Sequence, residues 1–129
     1  MGEQPYDYAK AIAQAPQDHR GAFLVMTSPP VFRDRQRLAE ATLSQRIASM
    51  FALREHVDAG GLISYGANIS FLYRRAAELV DRIARGATPA DLPVEQPTKF
   101  ELVVNLKTAR AIGVEIPTSI ILRANEVIE

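Results

Sequence analysis

The sequence predicts an α/β domain with a mainly parallel sheet flanked by helices. A continuous apolar run at 21–27 is typical of a strand that is covered on both faces, as in parallel sheets. Apolar residues recur at helical spacing between 69 and 85, which indicates a long amphipathic helix. Strands and helices then alternate along a chain of 129 residues, the size of a single domain.

The individual elements follow from local signals. Strands are predicted where apolar residues run together or alternate, and helices where a capping residue precedes apolar residues at helical spacing. In chain order we expect a helix at 6–14, a strand at 21–27, a helix from the cap Ser28 to Gln45, a strand at 47–53, a turn at Gly60-Gly61, a strand at 62–66, a helix at 68–85 that stops at Gly86, an extended segment at 87–97, a strand ending at Asn105, a helix at 106–112 that stops at Gly113, and an apolar tail from Pro117 that docks onto the body.

Composition excludes several kinds of function. Fifteen basic and fifteen acidic residues cancel, so the total charge offers no positive field for a nucleic-acid backbone. The absence of cysteine removes disulfides, thiolate catalysis and cysteine-based zinc sites, and we expect no metal and no other cofactor. Residues 1–10 lack the basic start and apolar stretch of a secretory signal, and no apolar run is long enough to insert in a membrane.

Catalytic signals are weak. His19 and His56 are the only histidines, and both are expected in loops outside any known motif. Glycine loops of the phosphate-binding patterns are absent. Because catalysis needs a nucleophile with a base, or paired groups tuned for proton transfer, we expect that the protein is not an enzyme.

Three stretches resemble the family of ABC-transporter substrate-binding proteins that includes tryptophan- and tyrosine-binding members. They read REHVDAGGLISYG at 54–66, LYRRAA at 72–77 and ADLPVEQPTKFELVVNLKTA at 90–109. The similarity extends from about residue 18 to the last residue. It is more specific for the family than for the ligand.

The resemblance implies a type I periplasmic-binding fold, in which two α/β lobes clamp a small molecule. On that pattern 1–61 and 97–129 are second-lobe-like, 62–92 is first-lobe-like, and 93–97 is the return crossover. The implied hinge residues are Gly60, Gly61, Pro93 and Pro97. The chain is then an incomplete copy, less than half of the two-lobed body.

An incomplete copy has consequences for its partners. A missing lobe leaves strand edges and apolar helix faces uncovered, so we expect a homodimer. An ABC permease is the implied partner in a full-length context. The family implies a periplasmic location, while the lack of a signal segment keeps a cytoplasmic one open.

Six residues are candidates for ligand binding, and each has a structural alternative. Ser28 and Pro29 follow the first strand, where ligands of α/β sheets gather, but Ser28 is also a credible helix cap. Arg54 and Glu55 follow the second strand; Arg54 can hold a carboxylate in two hydrogen bonds, or the pair is a solvated loop pair. Ser64 and Tyr65 end the third strand, and Tyr65 either stacks on a ligand ring or packs in the core.

The predicted function is non-covalent recognition of a small organic solute, such as an amino acid or an aromatic compound, for an ABC importer. The alternative is a stand-alone dimeric interaction protein that kept the scaffold and lost the solute site.

Overall fold

The computed structural model describes residues 6–15 and 21–129. Its elements alternate as an α/β domain requires. In chain order they are α1 (Tyr8–Ala13), β1 (Ala22–Val25), α2 (Pro29–Arg33), α3 (Arg35–Ser44), β2 (Ala48–Phe51), α4 (Arg54–Asp58), β3 (Ile63–Ala67), α5 (Ile69–Ala84), a 3₁₀ turn (Pro89–Asp91), β4 (Phe100–Asn105), α6 (Leu106–Ile112), α7 (Thr118–Ile121) and β5 (Glu126–Ile128).

The strands form one five-stranded sheet in the order β1-β2-β3-β4-β5. Neighbouring strands are parallel except for β3 and β4, which are antiparallel. The predicted α/β class with a mainly parallel sheet is confirmed. Strand β4 therefore begins at the edge of the sheet where β3 ends.

The main core lies on one face of the sheet. Phe51 of β2 is buried there with Ile12 of α1 and with Leu38 and Ala41 of α3. The connections from β1 to β2 and from β2 to β3 move across the sheet in the same direction. Because parallel crossovers are right-handed, both connections place their helices on the same face.

The opposite face is only partly covered. Ala109 and Ile112 of α6 pack against Leu62, with Ile63 and Ala48 at the margin of that cluster. Near β1 the face is open, since Leu24 is 67% exposed and Met26 is 73% exposed. The expectation that the first strand is covered on both faces is wrong here. Strand β1 is at one edge of the sheet, whereas α6 packs on this face toward the other edge, beside Leu62 and β5.

Two local predictions need correction. The helix predicted from Ser28 to Gln45 is interrupted at Asp34, which has φ −92° and ψ 18° and joins α2 to α3. The loop expected around His56 is the short helix α4, and His56 is buried at 1% exposure. The other histidine, His19, lies outside the described residues.

The tail and the helix stops agree with the sequence. Strand β5 docks the chain end onto β4, although a strand was not predicted there. Gly86 and Gly113 have φ values of +104° and +76°, so both helices end in the left-handed conformation that glycine adopts without strain.

Helix α5 departs from the sheet. Asn68 caps it by accepting a hydrogen bond from the Phe71 amide at 2.7 Å, at the start predicted for the helix at 68–85. None of its residues is buried, although its apolar side chains fall on one side. The preceding strand β3 belongs to the common sheet. The division of the chain into lobes stays a prediction.

Candidate ligand-binding site

The candidate residues follow the carboxyl ends of the parallel strands. Ser28 comes after β1, Arg54 after β2 and Asn68 after β3. The antiparallel strand β4 brings Phe100 and Glu101 to the same edge, opposite Ala67 and Gly66. Ligands of open α/β sheets bind at this edge.

Ser28 and Pro29 begin α2. Ser28 occupies the cap position with extended backbone angles, and its carbonyl oxygen accepts a hydrogen bond from the Phe32 amide at 2.9 Å. Its side chain makes no capping hydrogen bond, and the residue is exposed. Ser28 therefore caps the helix through its backbone, and its hydroxyl remains accessible.

Arg54 is held by carboxylates of this chain. Its Nε lies 3.3 Å from Asp58 Oδ2, its Nη2 lies 3.0 Å from Glu126 Oε2, and its Nη1 lies 3.9 Å from Glu101 Oε2. The hydrogen bond to Asp58 raises the pKa of Arg54, and Glu126 adds to this effect. A ligand carboxylate would have to compete with these groups for the guanidinium.

Glu55 lies beside Arg54 but in different surroundings. Its Oε2 atom is buried without a hydrogen-bond partner among the described residues. It lines an open cavity of about 230 Å³ together with Arg35, Gln36 and Asp58. The alternative, in which Arg54 and Glu55 form a solvated pair, is not seen, since Arg54 pairs with Asp58.

Ser64 and Tyr65 point to opposite faces of the sheet, because successive residues of a strand alternate. Ser64 is 1% exposed and its hydroxyl has no partner among the described residues. Tyr65 is 53% exposed and stacks on Phe100, with ring centroids 5.8 Å apart and planes inclined by 22°. The structure thus brings Tyr65 together with Phe100 and not with Ser64.

Residues that were not among the predicted ligand-binding residues complete this edge. The Asn68 side-chain amide donates to a Glu101 carboxylate oxygen while its own oxygen caps α5. Phe100 is 48% exposed beside Tyr65. Strand β4, which carries Phe100 and Glu101, was predicted from its alternating pattern. Its antiparallel pairing with β3 could not be predicted, because no sequence pattern indicates it.

Beneath the edge, several polar atoms are buried without partners among the described residues. They include Ser49 Oγ, Ser64 Oγ and both ring nitrogens of His56. Burial lowers the pKa of His56, although the Leu53 and Val31 carbonyl groups act in the opposite direction. Within 6–15 and 21–129 no group of acidic or histidine side chains is arranged to hold a metal ion.

The predicted hinge glycines lie in a tight turn after α4. Gly60 has φ +110°, and its carbonyl oxygen accepts a hydrogen bond from Thr108 Oγ1 at 2.9 Å. A Cβ atom on Gly61 would lie 2.6 Å from the Phe51 ring. Pro93 and Pro97 lie in an exposed segment without regular structure. The turn is confirmed, and the hinge remains a prediction.

No helix in the described part of the chain combines the length and the apolar character needed to cross a membrane.

Comparison with known proteins adds to these observations. Two solved structures superpose closely on the chain. A conserved domain protein from Vibrio cholerae matches with a TM-score of 0.81 and 22% identity, over 92% of this chain and 39% of that one. An ABC domain from Streptococcus pneumoniae in complex with L-Trp matches with a TM-score of 0.79 and 22% identity, over 94% of this chain and 40% of that one.

A third structure is more distant. The ligand-free, open form of a Clostridium difficile substrate-binding protein with adhesive properties matches with a TM-score of 0.60 and 21% identity, over 93% of this chain and 40% of that one. The chain therefore spans less than half the length of these three proteins, as expected for an incomplete copy. No curated protein matches the chain.

A family model described as ABC transporter substrate binding protein matches residues 4–128. The match covers almost the whole chain and agrees with the fold shared with the solved structures. Its members bind substrates for transporters and are not enzymes, in agreement with the expectation from the sequence. This chain belongs to the family of ABC transporter substrate-binding proteins.

Proposed function

We propose that the chain supplies one side of the solute site of an ABC importer. It recognises a small organic solute, an amino acid or an aromatic compound, without covalent chemistry. The observation that carries the proposal is the stacked, half-exposed pair of Tyr65 and Phe100 at the sheet edge where Ser28 and Arg54 also lie.

The aromatic pair favours a planar or apolar solute group. The two stacked rings are each about half exposed, and covering their exposed apolar surface is favourable. Leu24, also on the open side of the sheet, extends the apolar surface. A binding site of this kind is mainly apolar, with a few polar groups that fix the orientation of the ligand.

Polar groups at the edge suit the other end of an amino acid. Arg54 carries the bidentate donor geometry that recognises a carboxylate, once its present partners release one edge of the guanidinium. The Ser28 hydroxyl is an accessible donor and acceptor. Glu55 completes the proposed set, and Ser64 supports it from the buried side of β3.

The transporter context follows from the family and remains a proposal. An ABC permease is the partner that would receive the solute, and the location would be extracytoplasmic, specifically periplasmic. Because the chain spans about 40% of its solved relatives, the opposite side of the site comes from polypeptide outside this sequence. Gly60, Gly61, Pro93 and Pro97 are the proposed hinge between the two sides.

Calorimetric titration tests the proposal. The purified chain is titrated with L-tryptophan, L-tyrosine and a panel of aliphatic amino acids and aromatic acids. We expect saturable binding of at least one aromatic compound, and loss of that binding in Tyr65→Ala. Leu122→Ala, which removes an 81% exposed side chain just after α7, is the matched control and should bind normally. Absence of heat across the whole panel would contradict the proposal.

The alternative, a dimeric interaction protein without a solute site, also has an observation in its favour. Helix α5 has a continuous apolar side and no buried residue. A helix in that state needs a partner surface. A flat titration together with a stable dimer would favour this second function.

A further inference from the structure

Helix α5 is joined to the sheet at a single place. The chain leaves β3 after Ala67 and returns to β4 at Phe100, and these two residues are paired in the sheet. No residue of α5 is buried, and no strand or other helix in the described part of the chain packs extensively on it. The angle between α5 and the sheet is therefore set where the outgoing and returning segments meet.

The returning segment is fastened to α5. Arg75 binds both carboxylate oxygens of Glu95 through two of its nitrogens. Lys99 Nζ lies 4.6 Å from the centroid of the Phe71 ring, which is a cation–π contact. The helix and the returning segment thus form one unit, so any change of its angle to the sheet has to occur at the two crossings.

Asn68 holds this unit to the sheet through one side-chain contact. Its backbone N–H donates to the Lys99 carbonyl oxygen at 3.2 Å, which joins the two crossings to each other. Its side-chain amide donates to Glu101 Oε1 on β4, whereas its side-chain oxygen caps α5 by accepting from the Phe71 amide. Asn68 therefore uses different atoms to cap the helix and to hold the sheet, and substitution can separate the two roles.

The second oxygen of Glu101 faces Arg54. Glu101 Oε2 lies 3.9 Å from Arg54 Nη1, which is too long for a hydrogen bond but close enough for attraction between opposite charges. Gly66 lies opposite Glu101 in the sheet and has no side chain. The Ala52 carbonyl oxygen fills that space, since a Cβ atom on Gly66 would lie 1.8 Å from it. This packing brings the start of α4, with Arg54, close to the Glu101 carboxylate.

We propose that Glu101 is a positioning residue that fixes the direction of α5, because it holds Asn68 with one carboxylate oxygen while Arg54 orients the other. Without the contact between Asn68 and Glu101, α5 is attached to the sheet by its two chain crossings alone. The carboxylate thereby joins Arg54, a residue of the proposed solute site, to the angle of α5. The inference goes beyond solute binding and does not depend on it.

A change of angle at Asn68 is amplified along the helix. Ala84, the last residue of α5, follows Asn68 by 16 residues, which is about 24 Å along the helix axis. A tilt of about 20° at Asn68 would therefore displace Ala84 by about 8 Å. Helix α6, whose Ala109 packs against Leu62, provides a fixed reference on the sheet. The distance from Ala84 to the exposed Arg110 of α6 thus reports the angle.

Exchange of the donor and the acceptor tests the contact. The chain has no cysteine, so Ala84→Cys with Arg110→Cys provides two sites for spin labels, and pulsed electron paramagnetic resonance gives the distribution of distances between them. Asn68→Asp keeps a capping oxygen but places a second carboxylate against Glu101, so the distribution should shift or broaden by several ångströms. Addition of Glu101→Gln supplies an amide that donates to the new carboxylate. The double variant should recover the narrow distribution.

Two further variants separate the contact from a folding defect. Asn68→Ser also keeps a capping oxygen but lacks the side-chain donor, so it should broaden the distribution as Asn68→Asp does. Glu126→Gln removes another carboxylate from Arg54 without touching Asn68, and it should leave the distribution unchanged. Circular dichroism of each labelled protein shows whether its helices are intact.

Three outcomes would overturn the inference. They are a broad distribution in the labelled chain without further substitution, an unchanged distribution in both Asn68 variants, and a double variant that stays broad. The distances are measured without solute. A flat calorimetric titration with L-tryptophan would therefore contradict the proposed function alone and leave this inference to the spin-label distances.

Discussion

The imidazole ring of His56 lies parallel to the ring of Phe51, with centroids 5.0 Å apart and planes inclined by 16°. Phe32 packs against His56 in an edge-to-face arrangement, with ring centroids 6.2 Å apart and planes inclined by 73°. These contacts join α4 to β2 and α2, so a short helix without strong local signals is held by aromatic contacts around the buried His56. Burial keeps His56 neutral, because it lowers the pKa of the ring.

The buried His56 makes stability depend on pH. The unfolded chain takes up a proton on this residue near its ordinary pKa of 6.5, whereas the folded chain resists protonation to lower pH. Stability should therefore fall as the pH drops below about 6.5. The measurement is chemical denaturation at a series of pH values from 8 to 5.

Substitution isolates the contribution of this residue. His56→Phe keeps a stacked ring but cannot titrate. Its free energy of unfolding should therefore stay constant over the pH range in which that of the unaltered chain falls. His19→Ala, which removes the chain's other histidine, is the control and should preserve the decline. An equal decline in His56→Phe would show that another group is responsible. Arg33 lowers the pKa of Asp34, and Arg75 lowers that of Glu95. The stability that these two carboxylates contribute is therefore lost only at more acidic pH.

Gly66 is required by its contact with the end of β2. A Cβ atom there would lie 1.8 Å from the carbonyl oxygen of Ala52, so neither backbone can keep its position. Gly66→Ala should reduce the free energy of unfolding by about 3 kcal/mol. Gly21→Ala, where nothing lies within 4 Å of the added atom, is the matched control and should change it little. Similar stability of the two variants in urea denaturation would contradict this packing.

The Arg54 cluster links α4 to β4 and to the last strand. Arg54→Ala should destabilise the chain by about 1 kcal/mol, a modest value because the side chain is one-third exposed. Glu126→Gln should cost less, since Asp58 and Glu101 remain. Thermal unfolding is measured at 50 mM and 500 mM salt. The difference in melting temperature between Arg54→Ala and the unaltered chain should be smaller at the higher salt concentration. A salt-independent effect would indicate lost packing in place of lost charge pairing.

Much of the fold could be predicted because its signals are local. Asn68 and Gly86 bound α5, and the apolar spacing between them already gives the helix its type and length. Gly113 marks the end of α6 in the same way that Gly86 marks the end of α5. The helix α4 could not be predicted, since five residues are too few to show a periodicity and its stability comes from the stack of His56 on Phe51.

The site was less accessible to sequence reasoning. The resemblance and the strand ends predicted the edge of the sheet on which the candidate residues lie, but the partners of each side chain depend on contacts between distant segments. Arg54 meets Glu126 and Tyr65 meets Phe100 only because β4 returns beside β3. The opposite orientation of Ser64 and Tyr65, by contrast, follows from strand alternation alone.

The most direct test of solute recognition is a crystal structure of the chain grown with the aromatic compound that binds most tightly. We expect density for that compound against Tyr65 and Phe100, with polar contacts to Ser28 or Arg54. A well-ordered complex with the compound bound elsewhere on the chain, leaving this edge of the sheet empty, would contradict it.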